Sequence, residues 1–173
     1  MAENDQTDKR EAQTQAATDE PVDLTPEVLE QLLTGCYWDI LKRMRQVALK
    51  ELTVDQAADL DDAIARHLAR TLMGENLHFR MRLPYQAMPL VDMVRAKEPK
   101  LFAPDALAGV DQANPRAMMI YLCREFVKEC YFAITAVGSR ENFTAEMVRD
   151  EGLALCALWC RRLCQPGTEQ GLN

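Results

Sequence analysis

The chain has 173 residues, of which 48% are hydrophobic and 27% charged, and its formal net charge is −7. This length fits a single domain, and the hydrophobic content is sufficient for a buried core. With seven glycines and one serine, Ser139, the sequence contains neither a glycine-rich phosphate loop nor a G-x-S-x-G nucleophile motif. We find no nucleophile–base pair, so an ordinary enzyme is the least supported class, although helices can bring distant residues together.

The sequence also bears on the cellular compartment. Its N-terminus lacks the apolar segment of a secretory signal, and no apolar run approaches the ~20 residues needed to cross a bilayer. Six cysteines without such a signal are typical of reduced thiols in a cytosol. We therefore expect a cytoplasmic protein that does not bind membranes.

The acidic charge is concentrated at the N-terminus. Residues 1–23 hold seven acids and two bases, whereas residues 24–173 hold 20 acids and 18 bases. A polar, acidic segment buries too little apolar surface to fold alone, so residues 1–23 are predicted to be a disordered acidic tail. The domain is predicted over residues 24–165, followed by a frayed tail at 166–173.

Two helices are predicted in the first half of the domain. The first begins at the capping residue Thr25, with proline in its first turn, and apolar residues recur at helical spacing as far as Leu52. The second opens with a capping box formed by Thr53 and Gln56 and ends at Gly74. Its predicted core stripe consists of Ala57, Leu60, Ile64, Leu68 and Leu72.

Residues 75–114 break the helical pattern with four prolines, and only short helices are predicted there, over Pro89–Lys97 and Pro104–Ala108. A long irregular connection in a compact domain is more often functional than idle. Methionines and prolines beside basic residues favour an adaptable protein-binding surface. We therefore predict an adaptor or regulatory protein that binds another protein, or a second copy of itself, through the 75–100 segment. The predicted contact residues are His78, Phe79, Arg80, Met81, Arg82, Met88, Met93 and Arg95.

An alternative is nucleic-acid binding through the basic 66–82 segment. Residues 63–100 hold seven bases against three acids, and His78–Arg82 interleaves basic with apolar side chains, as in surfaces that stack on bases and contact phosphates. The arginines concerned are Arg66, Arg70, Arg80 and Arg82. Because the whole chain is acidic, it would repel a polyanion at long range, and protein binding is the preferred prediction.

The organising element is predicted to be a pair of long antiparallel helices between Asn114 and Cys164. In the first helix apolar residues almost encircle the axis, and Cys130–Val137 carries no charge, which is typical of a core helix buried on most sides. The second begins near the cap Thr144. Its Gly152 costs about 1 kcal/mol of helix propensity and therefore indicates close approach by a neighbour. Together these patterns predict an all-α, single-domain bundle of about five helices.

The cysteines suggest a second alternative function, a metal or redox sensor. Cys156, Cys160 and Cys164 follow each other at i, i+4 and i+8, and a hairpin turning near residue 140 would place Cys123 level with Leu158. Cys123, Cys156 and Cys160 would then converge on Zn²⁺ or Cu⁺, or act as a redox pair. None of the spacings is C-x-x-C, and free cysteine behaves as a small buried hydrophobe, so core packing is the preferred interpretation.

Two further patterns resemble metal ligands only superficially. Glu75 and His78 form an E-x-x-H, but a di-iron bundle needs a second such motif, and His67 has no matching glutamate. Three acids on one face of the second helix are explained by the helix dipole without a Mg²⁺ ion. These acids are Asp55, Asp59 and Asp62.

Overall fold

The computed structural model describes residues 20–81 and 87–164. In this part of the chain the helices are α1 (Pro26–Ala48), α2 (Val54–Leu72), α3 (Ala87–Lys97), α4 (Pro115–Gly138) and α5 (Ala145–Cys164). The predicted all-α bundle of five helices is confirmed. Within the same residues, every helix is too short or too polar to cross a membrane. Most of the predicted acidic tail and the predicted frayed tail lie outside the described residues.

The centre of the bundle is α4, which packs against α1, α2, α3 and α5. Its inward residues are almost fully buried: Met118, Met119, Leu122, Phe126 and Cys130. The predicted cap is confirmed, because Asn114 Oδ1 accepts hydrogen bonds from the backbone N–H groups of Arg116 and Ala117, at 3.0 and 3.3 Å. The prediction that this helix forms the core is therefore correct for most of its length.

The last two turns of α4 are less buried than the uncharged run Cys130–Val137 led us to expect. Cys130, Ile134 and Val137 are buried, but Phe132 is 63% exposed and Tyr131 is half-buried. The inward residues follow the spacing of a helix, so Phe132 points away from the core at this level. Absence of charge alone does not distinguish a buried face from an exposed apolar one.

Helix α2 has the predicted capping box, in which Thr53 Oγ1 and Gln56 Oε1 each accept a backbone hydrogen bond from the other residue. Its predicted core stripe is partly wrong, because Leu60 is 43% exposed and Ile64 is half-buried. The buried residues of α2 are Ala57, Asp61, Ala65, Leu68, Ala69, Thr71 and Leu72. Asp61 and Ala65 therefore face the core where Leu60 and Ile64 were predicted to do so. The small alanine side chains on this face allow α2 to pack closely against α4.

Two short strands were not predicted. Strand β1 (Val22–Leu24) pairs in parallel with β2 (Phe79–Met81). Val22 and Asp23 were assigned to the disordered tail by sequence, so the structured domain starts at least two residues earlier than predicted. The ribbon packs the first residues of the domain against the segment that follows α2, and Leu24 is fully buried.

The connection between β2 and α4 is irregular, as predicted. Helix α3 begins two residues before the predicted Pro89 and ends at the predicted Lys97. The predicted helix at Pro104–Ala108 is a series of hydrogen-bonded turns, and the short 3₁₀ helix lies earlier, at Pro99–Phe102. Lys97 Nζ donates to the carbonyl oxygens of Arg161 and Arg162, at 2.9 and 3.2 Å, and so joins the end of α3 to the end of α5.

Candidate functional site

The residues predicted to bind a partner are divided between surface and interior. His78 and Arg80 are exposed, whereas Phe79 and Met93 pack against the core and Met88 is half-buried. Arg82 and the side chain of Met81 lie outside the described residues. The predicted segment is therefore not one continuous exposed surface.

Two arginines of the predicted segment, Arg80 and Arg95, already have partners within the chain. Arg80 Nε lies 2.9 Å from Asp23 Oδ1, and Arg95 Nη1 lies 3.0 Å from Asp92 Oδ1. The Arg95 guanidinium also lies 4.9 Å from the centre of the Phe102 ring. Of the other arginines proposed for nucleic acid, Arg66 pairs with Asp62 at 2.7 Å, while Arg70 is exposed. These pairs reduce the charge that the segment offers to a phosphate backbone.

Exposed apolar side chains concentrate at one end of the bundle. Three contacts bring four helix ends together here: the end of α1, the start of α2, the end of α4 and the start of α5. They join Arg43 to Asp61, Tyr131 to Asp61, and Tyr37 to Val148. We call this region the apolar end. It is defined by Trp38, Leu49, Val54, Phe132 and Phe143, which are 39%, 57%, 71%, 63% and 54% exposed.

A cleft with a volume of about 850 Å³ lies at this end. It runs between α1 and the start of α5, with Trp38 and Phe143 as its aromatic walls. The lining residues are Trp38, Leu41, Lys42, Arg45, Phe143, Ala145, Glu146, Val148 and Arg149. The floor and walls are thus mainly apolar, and charged side chains surround them.

Tyr37 is a buried residue that contacts two residues lining this cleft, Val148 and Trp38. Its hydroxyl donates to the carbonyl oxygen of Val148 at 2.7 Å, which joins α1 to α5, and burial raises the pKa of Tyr37 to about 12. Its ring meets the Trp38 ring edge to face, with centroids 5.6 Å apart. Because Tyr37 is buried, Trp38 is held at the cleft by a rigid neighbour.

The charges around the cleft are mainly positive. Lys42, Arg45 and Arg149 line it against a single acid, Glu146. Arg149 lies 3.2 Å from Asp150, whereas no carboxylate of residues 20–81 or 87–164 lies within 4.0 Å of the charged nitrogens of Lys42 or Arg45. On a chain with a net charge of −7, this is a local basic surface around an apolar floor.

A buried polar cluster beside the apolar end was missed by sequence reasoning. Asp61, 8% exposed, accepts a hydrogen bond from the Tyr131 hydroxyl, and its other oxygen lies 3.5 Å from Arg43 Nη1. Two smaller clefts, of about 360 and 410 Å³, meet at Asp61, Tyr131 and Ala58. One sequence signal could have revealed it: Asp61 lies four residues after Ala57 and four before Ala65, which places a charged residue on the buried face of α2.

The polar cluster joins three helices and provides no activated nucleophile. Burial raises the pKa of Asp61, against the opposing effects of Tyr131 and Arg43, and burial also raises the pKa of Tyr131. A tyrosine with a raised pKa stays protonated at neutral pH and donates its hydrogen bond to the carboxylate. The arrangement therefore serves packing and specificity of α1, α2 and α4 better than acid–base chemistry.

The cysteines do not converge as the metal alternative required. Phe126 and Trp159 meet with ring centroids 5.8 Å apart, so the hairpin turns further along the chain than residue 140. As a result Cys130, rather than Cys123, is the α4 cysteine whose thiol pKa is raised by Cys156 in addition to burial. All six cysteines are free, and burial raises the pKa of each thiol.

The other metal candidates likewise lack a ligand set. Among the described residues, no group of three or more His, Cys, Asp or Glu side chains is arranged to hold a metal ion. Glu75 instead accepts two hydrogen bonds from Arg116, at 2.7 and 2.8 Å. Asp62 is engaged by Arg66 and Arg124, which explains one of the three acids on α2 without a metal.

No known protein family, curated protein or solved structure matches this chain. Function is therefore inferred from the surfaces and clefts of the molecule itself.

Proposed function

We propose that this chain is a non-enzymatic helical adaptor or regulatory protein that binds another protein at its apolar end. The observation that carries the proposal is the cleft between Trp38 and Phe143. An exposed apolar cleft rimmed by charged groups is typical of interaction sites, and tryptophan is among the residues that contribute most to binding energy. Trp38 is half-exposed but held rigidly by Tyr37, so it loses little conformational freedom on binding.

The occupant that fits best is an acidic amphipathic helix of the partner. An apolar groove between two helices suits the apolar face of a third helix. Lys42 and Arg45 then lie where acidic residues flanking that face would meet them, which favours association and fixes orientation. A basic segment would be repelled by the same side chains.

The predicted 75–100 surface remains a second candidate for the same function. One described residue supports it, Leu77, which is 90% exposed beside β2. Because Arg80 and Arg95 are already paired within the chain, the 75–100 surface is a weaker candidate than the apolar end with its open cleft. Nucleic-acid binding receives the least support, because Arg66 and Arg80 are both paired with carboxylates.

Two synthetic helical peptides test the proposal. Both peptides have the same apolar face, which is flanked by acidic residues in one peptide and by basic residues in the other. Binding of each peptide is followed by NMR of the full-length protein. We expect the acidic peptide to shift the Trp38 indole and Phe143 signals, and the double variant W38A/F143A to lose this response. Leu153→Ala is the matched control, since Leu153 is 44% exposed on α5 but does not line the cleft. Equal binding of both peptides, or binding of neither, would contradict the proposal.

Self-association provides the complementary test. Analytical ultracentrifugation of the full chain is expected to show a monomer, with the cleft free for a different protein. A dimer that Phe143→Asp dissociates would instead assign the apolar end to a second copy of the chain and overturn binding of another protein there.

A further inference from the structure

A pair of cysteines lies at the end of α5, away from the apolar end. Cys160 and Cys164 are one helical turn apart, which places their Cβ atoms about 5–6 Å from each other. Both line a cleft of about 440 Å³ whose opposite wall is the first turn of α1. Cys160 Sγ lies 3.1 Å from the carbonyl oxygen of Pro26, and the two thiols are close enough to affect each other's protonation.

Two adjacent sulfurs restrict which ion they are able to bind. Structural zinc takes four ligands, and no group of three or more suitable side chains exists among residues 20–81 and 87–164. Thiolates prefer soft ions such as Cu⁺. Two sulfurs on opposite sides of one ion stand roughly 4.6 Å apart if the metal–sulfur bond is about as long as the 2.3 Å of zinc–thiolate bonds. Side chains one turn apart on a helix span that distance without moving the backbone.

We propose that Cys160 and Cys164 bind one Cu⁺ ion between their sulfurs, in two-coordinate geometry. Binding replaces two S–H bonds by two S–Cu bonds, and both protons leave to solvent. The copper keeps its oxidation state, so the step needs neither an oxidant nor a reductant. The carbonyl oxygen of Pro26 is then released from its contact with the Cys160 thiol.

The surrounding charges set the pH dependence of this site. Burial raises the pKa of both thiols, that of Cys164 to about 12, so the ion must displace tightly held protons. Lys97 and Arg161 act in the opposite sense and favour the bound thiolates, whereas Glu30 and Glu27, on the α1 wall of the cleft, oppose them. Affinity is therefore expected to fall as pH falls, because protons compete with the ion for both sulfurs.

The test is a competition titration with the reduced, full-length protein under anaerobic conditions. Cu⁺ is supplied together with a coloured Cu⁺ chelator such as bicinchoninate, in weak buffer with a pH indicator. We expect the protein to withdraw one ion per chain and to release about two protons for each ion bound. Failure to compete with the chelator, or uptake without proton release, would overturn the proposal.

Three single serine variants and one double variant localise the site. Cys160→Ser and Cys164→Ser are each expected to lose the bound ion, while Cys36→Ser retains it, because Cys36 is a half-buried thiol outside this cleft. Circular dichroism establishes that each variant is folded, and two independent ligand variants keep the test decisive if one of them unfolds. Retention of one Cu⁺ by the double variant C160S/C164S would place the binding elsewhere and refute the assignment.

Discussion

The ring of Tyr37 lies so close to Gly152 that a Cβ atom added there would come within 2.1 Å of Tyr37 Cε1. Glycine at this position therefore allows α1 and α5 to approach each other with an aromatic ring between them. The same tyrosine donates to Val148 of α5, so it is fixed by a hydrogen bond as well as by packing. This contact holds Trp38, the next residue, at the wall of the large cleft.

Gly152→Ala is therefore expected to destabilise the protein, although alanine favours helix by about 1 kcal/mol. Overpacking a rigid core contact costs about 1–3 kcal/mol, and here the side chain that would have to move is fully buried. Urea denaturation should show a lower free energy of unfolding for the variant. Gly35→Ala in α1 is the matched control, because its Cβ would meet nothing within 4 Å and only the helix propensity changes. Stabilisation by both substitutions would show that the Tyr37 contact is not tight.

Asp61 and Asp62 are neighbours in sequence but should have opposite effects on stability as pH changes. Burial raises the pKa of Asp61, so its contribution to stability is largest at low pH and is lost as pH rises through the folded-state pKa. Hydrogen bonds from Arg66, with support from Arg124, lower the pKa of Asp62. The contribution of Asp62 is therefore present above the usual aspartate pKa and is lost as pH falls through the folded-state value.

The two asparagine variants separate these effects. Relative to the wild type, Asp61→Asn should gain free energy of unfolding as pH rises above the ordinary aspartate pKa of about 4. Asp62→Asn should instead gain free energy of unfolding relative to the wild type as pH falls below that value. Denaturant titrations at a series of pH values measure both differences. Parallel pH profiles for the two variants would contradict the assignment of Asp61 as the buried member of the pair.

The two phenylalanines of α4 test which face of that helix is inside. Phe126 is 1% exposed and Phe132 is 63% exposed. We expect Phe126→Ala to cost about 3–5 kcal/mol of stability, as for other large core side chains. Phe132→Ala should change stability by less than about 0.5 kcal/mol. Equal costs for the two substitutions, measured by chemical denaturation, would show that the helix is buried all round.

The thiols are expected to react slowly with iodoacetamide at neutral pH. The thiolate is the reactive form, and burial, assisted by Asp39, raises the pKa of Cys36 to about 11, while burial raises that of Cys156 to about 12. Mass spectrometry with time should show Cys36 modified first, because it is half-buried and the other five cysteines are buried. Rapid modification of Cys123, which lies on α4 and is buried in the core, would contradict the fold.

Local signals were sufficient to predict much of this fold. Caps at Thr25, Thr53 and Asn114 are each set by a few neighbouring residues, so the starts of α1, α2 and α4 were predicted correctly. Gly152 was also informative, since a residue that weakens a helix needs a packing reason to be there. The central position of α4 followed from the composition of its surface alone.

Features that depend on distant contacts were not predicted. The β1–β2 ribbon joins two segments of three residues that are far apart in sequence, and neither is long enough to show a strand pattern. Cys123 was expected to lie level with Leu158, between Cys156 and Cys160, because the hairpin was assumed to turn near residue 140, and a turn position read from sequence is too coarse to fix side-chain partners. Asp61 was overlooked because its burial depends on Arg43 and Tyr131, which come from two other helices.

The central functional claim is that partners meet the apolar end and not the 75–100 segment. Photo-crosslinking measures this directly, with p-benzoylphenylalanine placed at Phe143 in one sample and at Leu77 in another, in cells that make the protein. We predict a crosslinked protein partner at position 143, abolished by Trp38→Ala, and none at position 77. A partner captured at position 77 and absent at position 143 would contradict the account.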